Sequence, residues 1–117
     1  MNEQLSESSN WELLLWLLRK RKRFKVMGNS MLPSLKPGEE ILVNLSAYRK
    51  SLPQVGDVVV AIHPDRPNFE IVKRVKIIKE NGYCFLIGDN ALESSDSRSF
   101  GFVNLENLIG KVTSRLP

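Results

Sequence analysis

Two side chains in this sequence stand where their surroundings invite chemistry: a lysine inside an apolar strand face and a serine in a glycine-led turn. In an extended segment alternate residues share a face, so Phe69, Ile71, Lys73, Val75 and Ile77 point one way. Four of these five are large and apolar. The other face, Glu70, Val72, Arg74 and Lys76, reads as largely solvated. A buried ammonium is costly and tends to shed its proton. An ordinary lysine, with a pKa of about 10.4, is neutral in only about one copy per thousand near neutral pH. Making it a base there takes about 4 kcal/mol, within the reach of burial. Periodicity alone equally allows Lys73 to lie at the strand's edge with its stem on apolar neighbours and its amine in water.

The serine lies in Met27-Gly28-Asn29-Ser30-Met31-Leu32-Pro33-Ser34-Leu35. A tight turn there exposes the Ser30 hydroxyl and nearby backbone amides, the parts of a nucleophile with an oxyanion hole. Most Gly-Asn-Ser turns are only turns. Rival chemistry is thinner. His63, the one histidine, precedes Pro64 in a loop. A Ser-His-Asp triad would draw its acid from Asp57, Asp65, Asp89 or Asp96, and no motif surrounds that histidine. Cys84, between Tyr83 and Phe85, reads as a half-buried filler, and Glu39-Glu40 as a solvated pair. A single cysteine excludes an internal disulfide and a multi-cysteine metal site.

The elements that must position these residues are short. Pro37-Gly38 is a turn before a strand at Ile41–Val43, and Leu52–Asp57 is a turn before a strand at Val58–Ile62. Strands over Phe69–Lys79 and Tyr83–Ile87 flank Asn81-Gly82, the signature of a two-residue type I′ hairpin. Gly88-Asp89-Asn90 opens a polar loop to Ser99, and a last strand covers Ile109–Ser114. Ahead of these, Ser9 and Glu12 stand at capping-box spacing, which predicts a helix from about Asn10 to about Arg23. The expectation is a mostly-β domain over 26–117, preceded by a polar tail, a short apolar helix and a basic cluster over 1–25.

Length and charge bound the rest. The 117 residues suffice for one domain with a modest core, and 42% hydrophobic with 26% charged residues is ordinary for a globular chain. The net charge of +4 is local: six of the seven residues from Arg19 to Lys25 are basic, while from Val26 onward 11 Lys and Arg face 10 Asp and Glu. The apolar run Leu13–Leu18 falls far short of the roughly 20 residues of a spanning helix. Acidic residues precede it and basic ones follow, the reverse of a secretory signal. Such a helix must bury its apolar surface on its own domain, on a second copy, or in a membrane interface with the basic cluster at the headgroups. Nucleic-acid binding lacks any aromatic interleaving or fold signature.

At this point three segments resemble one family. Ser30-Met31-Leu32-Pro33-Ser34-Leu35 resembles the Ser-Met-x-Pro-[Thr/Ser]-Leu box of the type I signal peptidases. Val72-Lys73-Arg74-Val75 resembles their Lys-Arg box, and Gly88-Asp89-Asn90 followed by Ser94–Gly101 resembles their third box. The three occur in the family's order over residues 24 to 112. The resemblance implies a signal-peptidase-like β fold, related to that of the SOS-repressor proteases, with a short N-terminal α-helix. It makes Ser30 the nucleophile and Lys73 the general base. Ser94 would orient the amine, an Asp96–Arg98 ion pair would hold the third-box loop, and Gly88, Asp89 and Asn90 would support it. The turn at Gly28, Asn29, Met31 and Pro33 would form the oxyanion and substrate loop. Some members place a hydroxyl donor two residues before the nucleophile, where this chain has Gly28.

Without a spanning segment, the chain resembles the nickel-type superoxide dismutase maturation proteases of bacteria. That likeness implies a protein precursor with a short leader as substrate, and neither cofactor nor metal in the protease. With the charge order it also implies a cytoplasmic enzyme, with residues 11–25 available for peripheral contact with the inner membrane face. The alternatives are an ordinary signal peptidase, a self-cleaving regulator and a catalytically dead binding module. The 25 residues before the body are too few for a regulator's DNA-binding domain, and Ser30, Lys73 and Ser94 are all in place.

Overall fold

The computed structural model describes residues 5–117. A helix α1 (Asn10–Leu17) precedes strands β1 (Lys22–Lys25), β2 (Glu40–Asn44), β3 (Val58–Ile62), β4 (Glu70–Ile78) and β5 (Cys84–Ile87). A short helix α2 (Ser97–Phe100) and strand β6 (Leu108–Arg115) complete the chain. The strands form one antiparallel sheet in the order β1-β2-β6-β3-β4-β5. The mostly-β architecture with a short N-terminal helix is the fold class expected.

Both faces of the sheet's centre are covered, which explains why β3 reads Val-Val-Val-Ala-Ile rather than alternating. Val58 and Val60 pack with Met31, Leu35 and Val112 on one side. Val59 and Ala61 pack with Ile71, Val75 and Leu86 on the other.

Three local expectations are corrected. The helix stops at Leu17 rather than near Arg23. Arg19 takes a left-handed backbone (φ 62), its amide bonds the Trp16 carbonyl at 2.9 Å, and the Lys20 amide bonds that of Leu15 at 2.7 Å. This pairing of terminal bonds closes a helix in the Schellman manner, and the basic segment leaves it as edge strand β1 against β2. The 81–82 turn is not type I′, because Asn81 lacks the positive φ that type requires. Lys79 and Tyr83 instead bracket a three-residue loop, closed by the Gly82 amide on the Lys79 carbonyl (2.9 Å) with Gly82 at φ 88. Finally, β4 does not alternate to its end. Val75 pairs with Leu86 and Ile77 with Phe85, so Lys76 is an extra, bulged residue. Beyond it the faces exchange, leaving Ile77 exposed and packing Ile78 on the Val75 side. Phe69 lies just outside β4 and is exposed.

Candidate active site

The loop carrying Ser30 is pinned from beneath and from the side. Met31 and Leu35 are buried in the core, and the Leu35 amide closes a turn on the Met31 carbonyl at 2.9 Å. From the third-box loop, the Asn90 amide bonds the Ser30 carbonyl at 2.8 Å and its side-chain amide bonds the Asn29 carbonyl at 3.1 Å. Gly28 has φ 76 and no atom within 4 Å of a would-be Cβ, so nothing fills the place of the absent hydroxyl donor. Met31 is anchor rather than cavity wall. Pro33, after a cis peptide bond, lines a separate hollow with Leu5, Ser34 and Arg115.

Lys73 is 4% exposed, between buried Ile71 and Val75 and across from buried Val59. The expected apolar face therefore holds at Ile71 and Val75 beside it, but not at Phe69 and Ile77, which are exposed. Burial pushes its pKa below the ordinary lysine value; the negative Asp96 works against that shift and Arg98 with it. The amine donates to Ser94 Oγ at 3.2 Å, and Ser94 donates its one proton to Asp96 Oδ2 at 2.7 Å. Ser94 can therefore only accept from Lys73. A neutral amine in this position gives one N–H to Ser94 and keeps its lone pair for another partner.

Asp96 is fully buried and ends this relay. Burial alone would raise its carboxyl. Hydrogen bonds from the Arg98 guanidinium (2.5 and 3.0 Å), the Gly88 amide (2.9 Å), Ser94 and the Arg98 amide outweigh that and hold it well below the usual carboxylate range. The same side chain caps α2 through the Arg98 amide. The expected Asp96–Arg98 pair is therefore present, and it is also the floor under Ser94.

The structure adds a second tie. Arg74, expected on a solvated face, is 2% exposed and grips Asp89 through two bonds of 2.9 Å, while its third nitrogen bonds the Gly56 carbonyl at 2.8 Å. Asp89 also accepts from Ser34 at 2.5 Å. One carboxylate thus joins the Ser30 loop, β4 and the third-box loop. Burial would raise Asp89, but Arg74 and Ser34 hold it below its ordinary value. Sequence reasoning missed this because alternation assigns Arg74 to water, and its partner is 15 residues away. At Gly88 the backbone fits between the Ser30 loop and Ser94: a Cβ would lie 2.2 Å from Ser94 Oγ and 2.6 Å from the Ser30 carbonyl.

Ser30 and Lys73 open into one cavity of about 480 Å³, walled by Phe24, Lys25 and Met27 on one side and Glu70–Val72 on the other. His63 also lines it, so it is more than a surface-loop residue, stacking 4.6 Å from Phe100. Its Nδ1 accepts from the Asp65 amide at 3.0 Å, which leaves no place for a carboxylate to orient it. Asp57, Asp89 and Asp96 are engaged with Tyr48, Arg74 and Arg98. Cys84 is fully buried with its thiol pushed up to about 11, the state of a packing group.

Comparison with known proteins agrees with this geometry. The family described as "Signal peptidase, peptidase S26" matches residues 13–78 and 76–116. The chain is 32% identical to the mitochondrial ATP-independent inner membrane protease subunit 1b of Arabidopsis thaliana over 111 residues, 76% of this chain and 66% of that protein. It is 33% identical to mitochondrial inner membrane protease subunit 2 of Mus musculus over 102 residues, 69% and 58%. It is 32% identical to signal peptidase I of Pseudomonas aeruginosa over 102 residues, 75% of this chain but 33% of that enzyme. The chain thus spans less than two thirds of the length of these relatives.

Proposed function

Since the chain belongs to the signal peptidase family, peptidase S26, we propose that it is a serine endopeptidase using a Ser30–Lys73 dyad to remove N-terminal leaders from protein precursors. The observation that carries this reading is a buried lysine of lowered pKa sharing a cavity with Ser30, its amine held by Ser94. Neutral Lys73 takes the Ser30 proton as the hydroxyl attacks the scissile carbonyl, then returns it to the leaving amine. The Ser30 amide is one oxyanion donor. Ser94 and Asp96 hold the amine, and Asp89 with Arg74 and Ser34 holds the loops in register. Glu70–Val72 pair with β3 on one edge only, because β5 begins its pairing at Arg74. An extended peptide can add to that open edge beside the cavity.

The finer reading is that the precursor is a nickel-type superoxide dismutase and the enzyme works in the cytoplasm. It rests on the resemblance of the short three-box chain to those maturation proteases. A second reading, cleavage of secretory signal peptides, is favoured by the likeness to signal peptidase I. Incubating the chain with a dismutase precursor and, in parallel, a signal-peptide-bearing preprotein separates them by intact mass. Loss of the leader from the dismutase alone supports the first reading, and trimming of the preprotein alone supports the second. Cleavage of neither, with or without detergent, contradicts the peptidase assignment.

A further inference from the structure

Helix α1 rests on the domain through Glu12, with Leu13, Leu15 and Trp16 half-buried, and leaves its other apolar residues outward. Glu12, with a side chain 14% exposed, accepts hydrogen bonds from Thr113 and Ser114 of β6 and pairs with Arg21 at 3.3 Å. Just before the helix, the Ser8 amide bonds the Arg115 carbonyl at 2.7 Å. No residue of α1 is buried, and none belongs to either core cluster or packs against one. Instead Trp11, Leu14 and Leu18, at i, i+3 and i+7, form an outward apolar stripe with Leu17 beside it, 65%, 44%, 59% and 73% exposed. Packing on its own domain half-buries Leu13, Leu15 and Trp16 but leaves the stripe of Trp11, Leu14, Leu17 and Leu18 uncovered.

Directly after the stripe, Arg19, Lys20 and Lys22 are exposed and make no ion pair among the described residues. We propose that α1 and this cluster form a docking surface for an anionic lipid bilayer. The apolar stripe enters the headgroup–acyl boundary and the cations meet lipid phosphates. Charge selects this occupant: a second copy would bring an identical unpaired cationic cluster with it, whereas an anionic bilayer neutralises one. No helix among the described residues is long and apolar enough to cross a membrane, so α1 lies on the surface rather than through it. Docking has a consequence for the cavity. β1 carries both Lys22 of the cluster and Phe24 and Lys25 of the cavity lining, so the cavity wall begins two residues, about 7 Å along the strand, from the docked cluster.

The proposal is independent of which precursor is cut, and binding can be read without any cleavage. Both tryptophans, Trp11 and Trp16, lie in α1, so selectively excited tryptophan emission reports this helix. Vesicles of phosphatidylglycerol mixed with phosphatidylcholine are expected to shift the emission to the blue and carry the protein down on sedimentation. Vesicles of phosphatidylcholine alone are expected to do neither, and salt should weaken the effect. Replacing Arg19→Ser together with Lys20→Ser should weaken binding roughly fivefold per charge removed. Leu14→Ser with Leu17→Ser should abolish the shift while the circular dichroism of the sheet stays unchanged. Wild-type emission unmoved by anionic vesicles overturns the proposal, as does equal binding to both lipids. A shift that appears without vesicles on dimerisation overturns it in favour of a second copy.

Discussion

Lys73 is held where its charged form is the disfavoured one, and its substitution separates stability from activity. Its folded pKa lies below 10.5, so the folded state binds fewer protons than the unfolded chain. The contribution of this group to stability therefore rises with pH from its folded pKa up to 10.5 and is least favourable below that folded pKa. Lys73→Met removes the penalty with an unbranched side chain of similar length. The variant is expected to melt above wild type at neutral pH, with the gap narrowing toward pH 10.5. Cleavage should fall by about 10³-fold. Because burial also favours the neutral forms of Cys84 and Tyr48, both of which weaken the fold once pH passes their ordinary values of 9.0 and 10.0, the comparison must be made at matched pH. Ser94→Ala leaves the amine without its acceptor and removes one of the donors to Asp96. It should lower kcat about tenfold to a hundredfold with little change in KM, and shift the acid limb of the rate. A merely structural loss would leave that limb in place. Lys73 was legible in the sequence as a contradiction within an apolar face. Arg74, its neighbour, was not, since nothing local announces that Asp89 and the Gly56 carbonyl take it out of water.

At the scale of elements, Asp89 is the point where the Ser30 loop, β4 and the third-box loop meet. Asp89→Ala removes the carboxylate that pairs with Arg74, a guanidinium 2% exposed, and should destabilise the fold by about 3–5 kcal/mol in chemical denaturation. Ser34→Ala removes one hydrogen bond to the same carboxylate and should cost about 1–2 kcal/mol. Gly88→Ala tests the close approach directly. Its Cβ would press on the Ser30 carbonyl and on Ser94, so cleavage should collapse with a stability loss of about 1–3 kcal/mol. The strands were readable from apolar runs between turn residues, including the doubly buried β3. What escaped were features set by partners. The bulge at Lys76 depends on β5, and β1 is a strand only because β2 offers it an edge. The early helix end rests on Arg19 in a conformation that glycine usually supplies.

Over the whole molecule, acid and base act on opposite ends of one relay. Asp96 and Asp89 are held below their ordinary value of 3.8. The stability they contribute is present above 3.8 and is lost as pH falls through their folded values. Both stay ionised across neutral pH, so neither accounts for a fall in cleavage on mild acidification, which the dyad assigns to Lys73. The measurement that bears most directly on the dyad pairs two titrations of the wild-type chain. One follows the Lys73 amine by NMR with labelled lysine, identified by its absence in Lys73→Met; the other is the pH dependence of kcat/KM on a cleavable precursor. The Ser30–Lys73 dyad predicts one shared midpoint well below 10.5, and no cleavage at any pH by Ser30→Ala. A Lys73 amine titrating at its ordinary value, or an acid limb that does not follow it, would contradict the dyad.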